Sequence, residues 1–380
     1  MTSAVFLEVL VSLSIQIGLL VLVVSWITKL TNPEALKCKL WAGCHLVILG
    51  LTLRGFLLPR PRLFQPAPHL TPSTTLDIVL WQQQFGLAVL TLWLIGLGYS
   101  LTIFIVRWYQ AHRFLKTCEP IQDTAFWDKI LRDSQDFHEL ETLPRLYVSP
   151  SLQSPFCWQV HRPYIVIPEF LLDFDPDELR LVLRHELEHL QTGHPLTLFI
   201  QRLVEIVYWF HPMVWWASRQ AADTREFACD DAAVSSRKEI VNYLKSLLKI
   251  VERADEETDT RSIDLAFGRG RSMLTRRATR LVILARNGLA ETPSLESPRR
   301  FSWVLANVPG LIAFFVWAPI DFTAPSGSHW SPWPTWSANV LHTFGIHARD
   351  YDVNDFRYHT HELLEERGQG HDFPMGDSNP

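Results

Sequence analysis

The chain has 380 residues, 47% hydrophobic and 20% charged, with 15 Trp, 22 Phe and a mean hydropathy of +0.05, too apolar for a disordered chain. With 35 Lys and Arg against 40 Asp and Glu, the net charge of -5 supplies no basic field, so direct nucleic-acid binding is not expected. The composition points instead to membrane spans joined to a globular portion.

Val9 to Thr28 and Ile78 to Val106 run for 20 and 29 residues without a charge, each long enough to cross roughly 30 Å of hydrocarbon as a helix. Leu40 to Leu53 is shorter, and it reaches Leu58 once Arg54 is allowed to snorkel toward the interface. Phe301 to Ile320 is the fourth such run. The expected plan is a membrane region 1–106 with three transmembrane helices (about 5–28, 38–58 and 78–106), a domain 107–300, a fourth transmembrane helix 301–320 and a short extracytoplasmic tail 321–380. Met1 to Glu8 has no basic stretch and no cleavage site follows, so the first segment reads as a retained anchor.

Lys29, Lys37 and Lys39, then Arg107, Arg113 and Lys116, then Arg299 and Arg300 all fall on one side of these spans. Basic residues mark the cytoplasmic side, which puts the 107–300 domain in the cytoplasm and both termini outside the inner membrane. Arg60 and Arg62 argue the other way and are outnumbered. The tail, acidic and Pro- and Trp-rich at its start, is expected to have little fold of its own. Five cysteines without a C-x-x-C pair exclude a disulfide framework.

In the central domain, Arg145 to Ser149 and Tyr164 to Ile167 read as short strands of a hairpin or small sheet, with the second run a free edge for an extended substrate. A helix then opens at Asp175-Pro176-Asp177-Glu178: an Asp cap, Pro at the first position and Glu three residues on. It continues into His185-Glu186-Leu187-Glu188-His189. Spacing of four places both imidazoles on one face, where they can share one ion, and Glu186 stands beside them to accept a proton from a metal-bound water. Further on, Trp215 to Val234 reads as a helix on which Glu226 and Asp230 share a face, so that one carboxylate can bind metal while the other orients an imidazole.

His185 to His189, the Tyr208 to Trp216 segment and Arg225-Glu226 to Asp230 together resemble the BlaR/MecR family of integral-membrane zinc metallopeptidases. Ser154-Pro155-Phe156 and Arg162 to Pro168 extend the resemblance. It implies a mainly α, multi-pass membrane protein with four transmembrane helices and a cytoplasmic α+β gluzincin-like metallopeptidase domain. It implies Zn2+ held by His185, His189 and Glu226, Glu186 as general base and Asp230 behind the ligands. The expected partners are the lipid membrane and a protein or peptide substrate, either the chain itself or a cytoplasmic transcriptional repressor; an oligomer is left open. Two departures stand out: His194 replaces a family Asp, and about 60 residues stand where the family carries a penicillin-binding sensor domain.

Other residues carry weaker signals. His211, before Pro212, is a candidate transition-state stabiliser or an ordinary polar contact; His194 could approach the metal from the helix end, with a surface role the preferred reading. Glu205 is expected to pair with Arg202 or line the active-site cavity, and Ser246-x-x-Lys249 to be ordinary helix packing. Ser272 to Ala285, with Arg276, Arg277 and Arg280, reads as a basic amphipathic helix that lies on anionic headgroups or docks a partner protein, the membrane being the simpler reading. Two competing functions remain: a membrane quality-control or prenyl-protein-type zinc peptidase, and a non-catalytic metal-binding signal transducer.

Overall fold

The computed structural model describes residues 3–60, 72–121, 144–159, 163–256, 270–287, 315–317, 330–331 and 333–348. It is mainly helical and opens with three long helices, α1 (Ser3–Leu30), α2 (Glu34–Leu57) and α3 (Pro72–Leu115). Within them Val5–Leu30, Glu34–Leu57 and Leu80–Leu115 are long and apolar enough to cross a membrane. Leu92, Leu94, Ile95 and Tyr99 of α3 are exposed, a surface suited to lipid rather than water. α3 runs nine residues past Val106 because Arg107 to Leu115 contains neither Gly nor Pro to stop it. The expected fourth helix, 301–320, lies outside the described residues apart from 315–317.

The chain divides into two compact units. The first comprises Met1–Leu22, Val47–Gly98 and Val308–Pro380. There α1 and α2 approach closely at Gly55, where an added Cβ would stand 3.3 Å from a Leu13 methyl. The buried carboxylate of Glu8 accepts the Trp317 indole N–H at 2.9 Å and lies 3.5 Å from Arg60 Nη1. Arg60 and Ser331 exchange two hydrogen bonds of 2.8 Å. In the tail, a short helix at Thr335–Thr343 is tied to α2 by the Trp336 indole, which donates to the Phe56 carbonyl.

The second unit comprises Val23–Leu46 and Tyr99–Asn307. Its small mixed sheet contains β1 (Glu119–Pro120), β2 (Arg145–Ser149), β3 (Phe156–Gln159) and β4 (Pro163–Pro168) in the order β1-β2-β4-β3. β2 and β4 are parallel and the other pairs antiparallel. Tyr164 to Ile167 is therefore not an edge. Ile165, Val166 and Ile167 are all buried, and a run that is apolar on both faces belongs in the middle of a sheet; β3 takes the edge instead.

Five helices follow: α4 (Pro176–Gln191), α5 (His194–Val207), α6 (Pro212–Ala233), α7 (Arg237–Glu256) and α8 (Gly270–Asn287). Asp175 caps α4 through a 3.1 Å bond from the Asp177 amide. Glu178 does not reach back to complete a capping box, because its carboxylate is taken by Lys249 at 2.6 Å. The core joins sheet to helices: Ile165 and Ile167 pack with Leu179, Leu183 and Leu190 of α4, with Ile240 and Tyr243 of α7, and with Leu281 of α8. Leu183 is 1% exposed at the centre of this cluster. Leu183→Ala should lower stability by about 2–5 kcal/mol, read from urea unfolding of the full chain in detergent micelles.

Candidate metal centre

His185 and His189 stand one turn apart on α4, both buried, their rings 4.9 Å apart and nearly perpendicular. α6 crosses this face and brings Glu226 to both: Oε2 lies 3.5 Å from His185 Nε2 and Oε1 3.6 Å from His189 Nε2. Donors about 2.0 to 2.2 Å from a tetrahedral ion stand roughly 3.3 to 3.6 Å apart, and each imidazole has its nearer Glu226 oxygen at that spacing, so two imidazoles and one carboxylate could hold a divalent metal. All three ligating atoms lie within 4.8 Å of one another.

One turn further along α6, Asp230 Oδ1 lies 3.1 Å from His185 Nδ1 and accepts its N–H, which leaves the Nε2 lone pair facing Glu226. The Tyr243 hydroxyl donates to the same oxygen at 3.0 Å. Burial and Arg277 push His185 down, but Asp230 and Glu226 outweigh them and raise the imidazole to about 9. Proton and metal therefore compete for one nitrogen. Burial also pushes Asp230 up, yet Arg277 and His185 hold it at about 2. Glu186, buried next to His185, is raised to about 7, chiefly by loss of solvent.

His194 is not a surface residue. Gly193 adopts a left-handed conformation at φ +68°, which reverses the chain at the end of α4 and folds His194 beneath His189. Their Nδ1 atoms are 2.9 Å apart. Burial and Arg225 lower His194 to about 3, so it stays neutral and its Nδ1 can accept the His189 proton, as a carboxylate would. Cys229 Sγ lies 3.5 Å from both Nδ1 atoms, and Cys38 Sγ lies 3.5 Å from His194 Nε2.

α8 also departs from expectation. Three of its arginines turn to α6 rather than to headgroups: Arg276 pairs with Asp223, Arg280 grips both oxygens of Asp231 at 2.6 Å, and Arg277 is buried against Asp230. Asp223 lies about two turns before Asp230 and Asp231 on α6, so all three carboxylates come within reach of these arginines. Arg277 and Tyr243 are the site residues that the motifs did not reveal. Arg277 lies three residues after Leu274 and four before Leu281, so a charge on the apolar stripe was the available signal.

His211 sits at the N-cap of α6, flanked by the rings of Tyr208 and Phe210. Fifteen residues of helical rise separate it from Glu226, roughly 22 Å, too far for both to act on one carbonyl. Glu205 pairs with Arg202 and with the Gln201 amide at 2.9 Å. Ser246 is buried and donates to the Asn242 carbonyl at 3.1 Å, as helix packing requires.

A family model described as BlaR1 peptidase M56 matches residues 68–279, which include every residue of this centre. The regulatory protein BlaR1 of Bacillus licheniformis is 28% identical over 200 residues, covering 48% of this chain and 33% of that protein. The chain thus spans about a third of the length of this curated relative. Replacing His194 by Leu should cost about 1–3 kcal/mol by leaving the buried His189 N–H unpaired. His194→Asp should restore most of that loss, with both variants read by thermal unfolding beside the wild type.

Proposed function

Because the chain belongs to the BlaR1 peptidase M56 family, we propose that it is a membrane-anchored zinc endopeptidase. Its peptidase domain would face the cytoplasm and cut a protein there, itself or a transcriptional repressor, in regulatory signalling. The observation that carries this reading is the convergence of His185, His189 and Glu226 with Glu186 beside them. Peptidases act on proteins, and a buried three-donor centre with a neighbouring carboxylate is the arrangement that peptide hydrolysis by a metal-activated water needs.

In this reading His185 and His189 hold the ion through Nε2 and Glu226 through a carboxylate oxygen. Asp230 and His194 fix the two imidazoles by taking their Nδ1 protons. Bound zinc supplies polarisation of the scissile carbonyl and lowers the pKa of a coordinated water. Glu186, with its carboxyl raised to about 7, takes a proton from the attacking water and passes it to the leaving amine. The substrate would lie extended along β3, which has β4 on one side only. Helix α4, which carries Glu186, packs directly against β3, so the edge strand lies beside the helix of the catalytic groups.

The membrane orientation rests on the basic residues between and after the spans. The cytoplasmic side they mark holds both the start of α2 and the end of α3. Helix α3 supports a site close to the membrane: Trp108, near its end, packs against Trp158 of β3 at 4.9 Å and against Phe199 of α5 at 6.4 Å.

Purified wild-type chain should carry one zinc. His185→Ala, His189→Ala and Glu226→Ala should each lose it by elemental analysis, whereas Glu186→Gln keeps the metal and loses about 10²–10⁴ in turnover of casein. Full zinc in Glu226→Ala would move the third ligand elsewhere, and undiminished cleavage by Glu186→Gln would remove the general base. Reporter fusions after Lys116 should read cytoplasmic and fusions after Arg62 external; the reverse pattern would invert the topology.

A further inference from the structure

Arg277 contributes to no step above, yet it touches Asp230, Tyr243, His185 and Glu226 at once. It is 9% exposed. Its guanidinium makes a fork on Asp230, with Nε 3.0 Å from Oδ2 and Nη2 2.6 Å from Oδ1. Nη2 also donates to the Tyr243 hydroxyl at 2.7 Å and lies 3.3 Å from His185 Nε2. The other terminal nitrogen, Nη1, stands 3.1 Å from Oε2 of Glu226.

We propose that Arg277 is a positioning residue of the metal centre that keeps Glu226 a one-oxygen ligand, by holding Oε2 while Oε1 is left to face the ion. The proposal rests on the zinc-peptidase reading and deepens it. A carboxylate has two equivalent oxygens and can chelate with both, which would fill the coordination position that a water or substrate carbonyl needs. A donor fixed on one oxygen draws on its lone pairs and biases metal binding toward the other. Asp230 makes the donor rigid: the fork sets the guanidinium plane, and only a planar group with nitrogens on two edges can serve Asp230 and Glu226 together. The same carboxylate orients His185, so one arginine sets the geometry of two of the three ligands.

Arg280 provides an internal control, because it makes an equally close fork between the same helices, on Asp231, and lies over the Phe227 ring rather than on a metal ligand. If the only task of α8 were to clamp α6, removing either arginine would have the same effect on the centre.

The test uses the full chain in detergent micelles with Co2+ in place of zinc, because four-coordinate cobalt absorbs visible light more strongly than five-coordinate cobalt. Wild type, Arg277→Met, Arg277→Lys and Arg280→Met are titrated with Co2+ and assayed on labelled casein after zinc loading. Arg277→Met and Arg277→Lys should bind one cobalt with a weakened visible band, and kcat should fall about 10–100-fold with KM little changed. Arg280→Met should match the wild type in band and kcat. Lysine keeps a charge against Asp230, so it carries the test should the buried Asp230 prevent Arg277→Met from folding. An unchanged band and kcat in Arg277→Lys would overturn the proposal, as would an equal change in Arg280→Met. A wild-type chain that takes up no metal would instead overturn the zinc reading itself.

Discussion

Charge balance in a nearly dry space governs this centre. Glu186 and Asp230 are buried and Glu226 is mostly covered, and carboxylates brought together out of water repel one another and lose their hydration. Arg277 supplies one positive charge among them. Buried Arg225 acts on Glu226 as well, so two guanidinia offset the carboxylates before any ion binds. The histidines contribute no charge when they act as ligands, because ligation requires them neutral. A divalent ion held by His185, His189 and Glu226 would relieve the repulsion that remains.

The same constraint explains the second layer. Burial and Arg225 keep His194 neutral, so it fixes His189 without adding charge beside Glu226. Its environment is in keeping, since two thiols and a buried arginine surround it rather than water. The start of α2 belongs to this packing. Besides Cys38 on His194, Trp41 meets Trp216 of α6 edge-on at 5.6 Å, and His45 Nε2 lies 3.3 Å from the Ser218 hydroxyl. The first part of a membrane-type helix is thereby one wall of the peptidase unit.

Local rules made part of this legible. The four-residue spacing of His185 and His189, and of Glu226 and Asp230, is a property of any α-helix and needs no tertiary knowledge. The Asp175-Pro176 start and the uncharged runs of α1, α2 and α3 are likewise written in short stretches. What escaped depended on partners distant in sequence. Glu178 left its capping role for Lys249, 71 residues away. The Tyr164 to Ile167 run became central because β2 and β3 both claimed it. The arginines of α8 looked free for a lipid surface because their acidic partners lie some fifty residues earlier, on α6. His194 looked exposed because the reversal at Gly193 is a backbone property that a Gly-His pair only hints at.

The three arginine–aspartate pairs joining α6 and α8 differ in how they meet solvent. Side-chain exposure is 48% for Arg276 and 21% for Arg280, but 10% for Arg277 with none for its partner Asp230. At physiological ionic strength mobile ions screen exposed charges over about 8 Å and reach buried pairs far less. Added salt therefore weakens the flanking pairs first and leaves the central one in place. Helix α8 is held as a door is held by a hinge pin and two latches, with the ionic medium able to work the latches while the pin, at the metal ligands, stays seated.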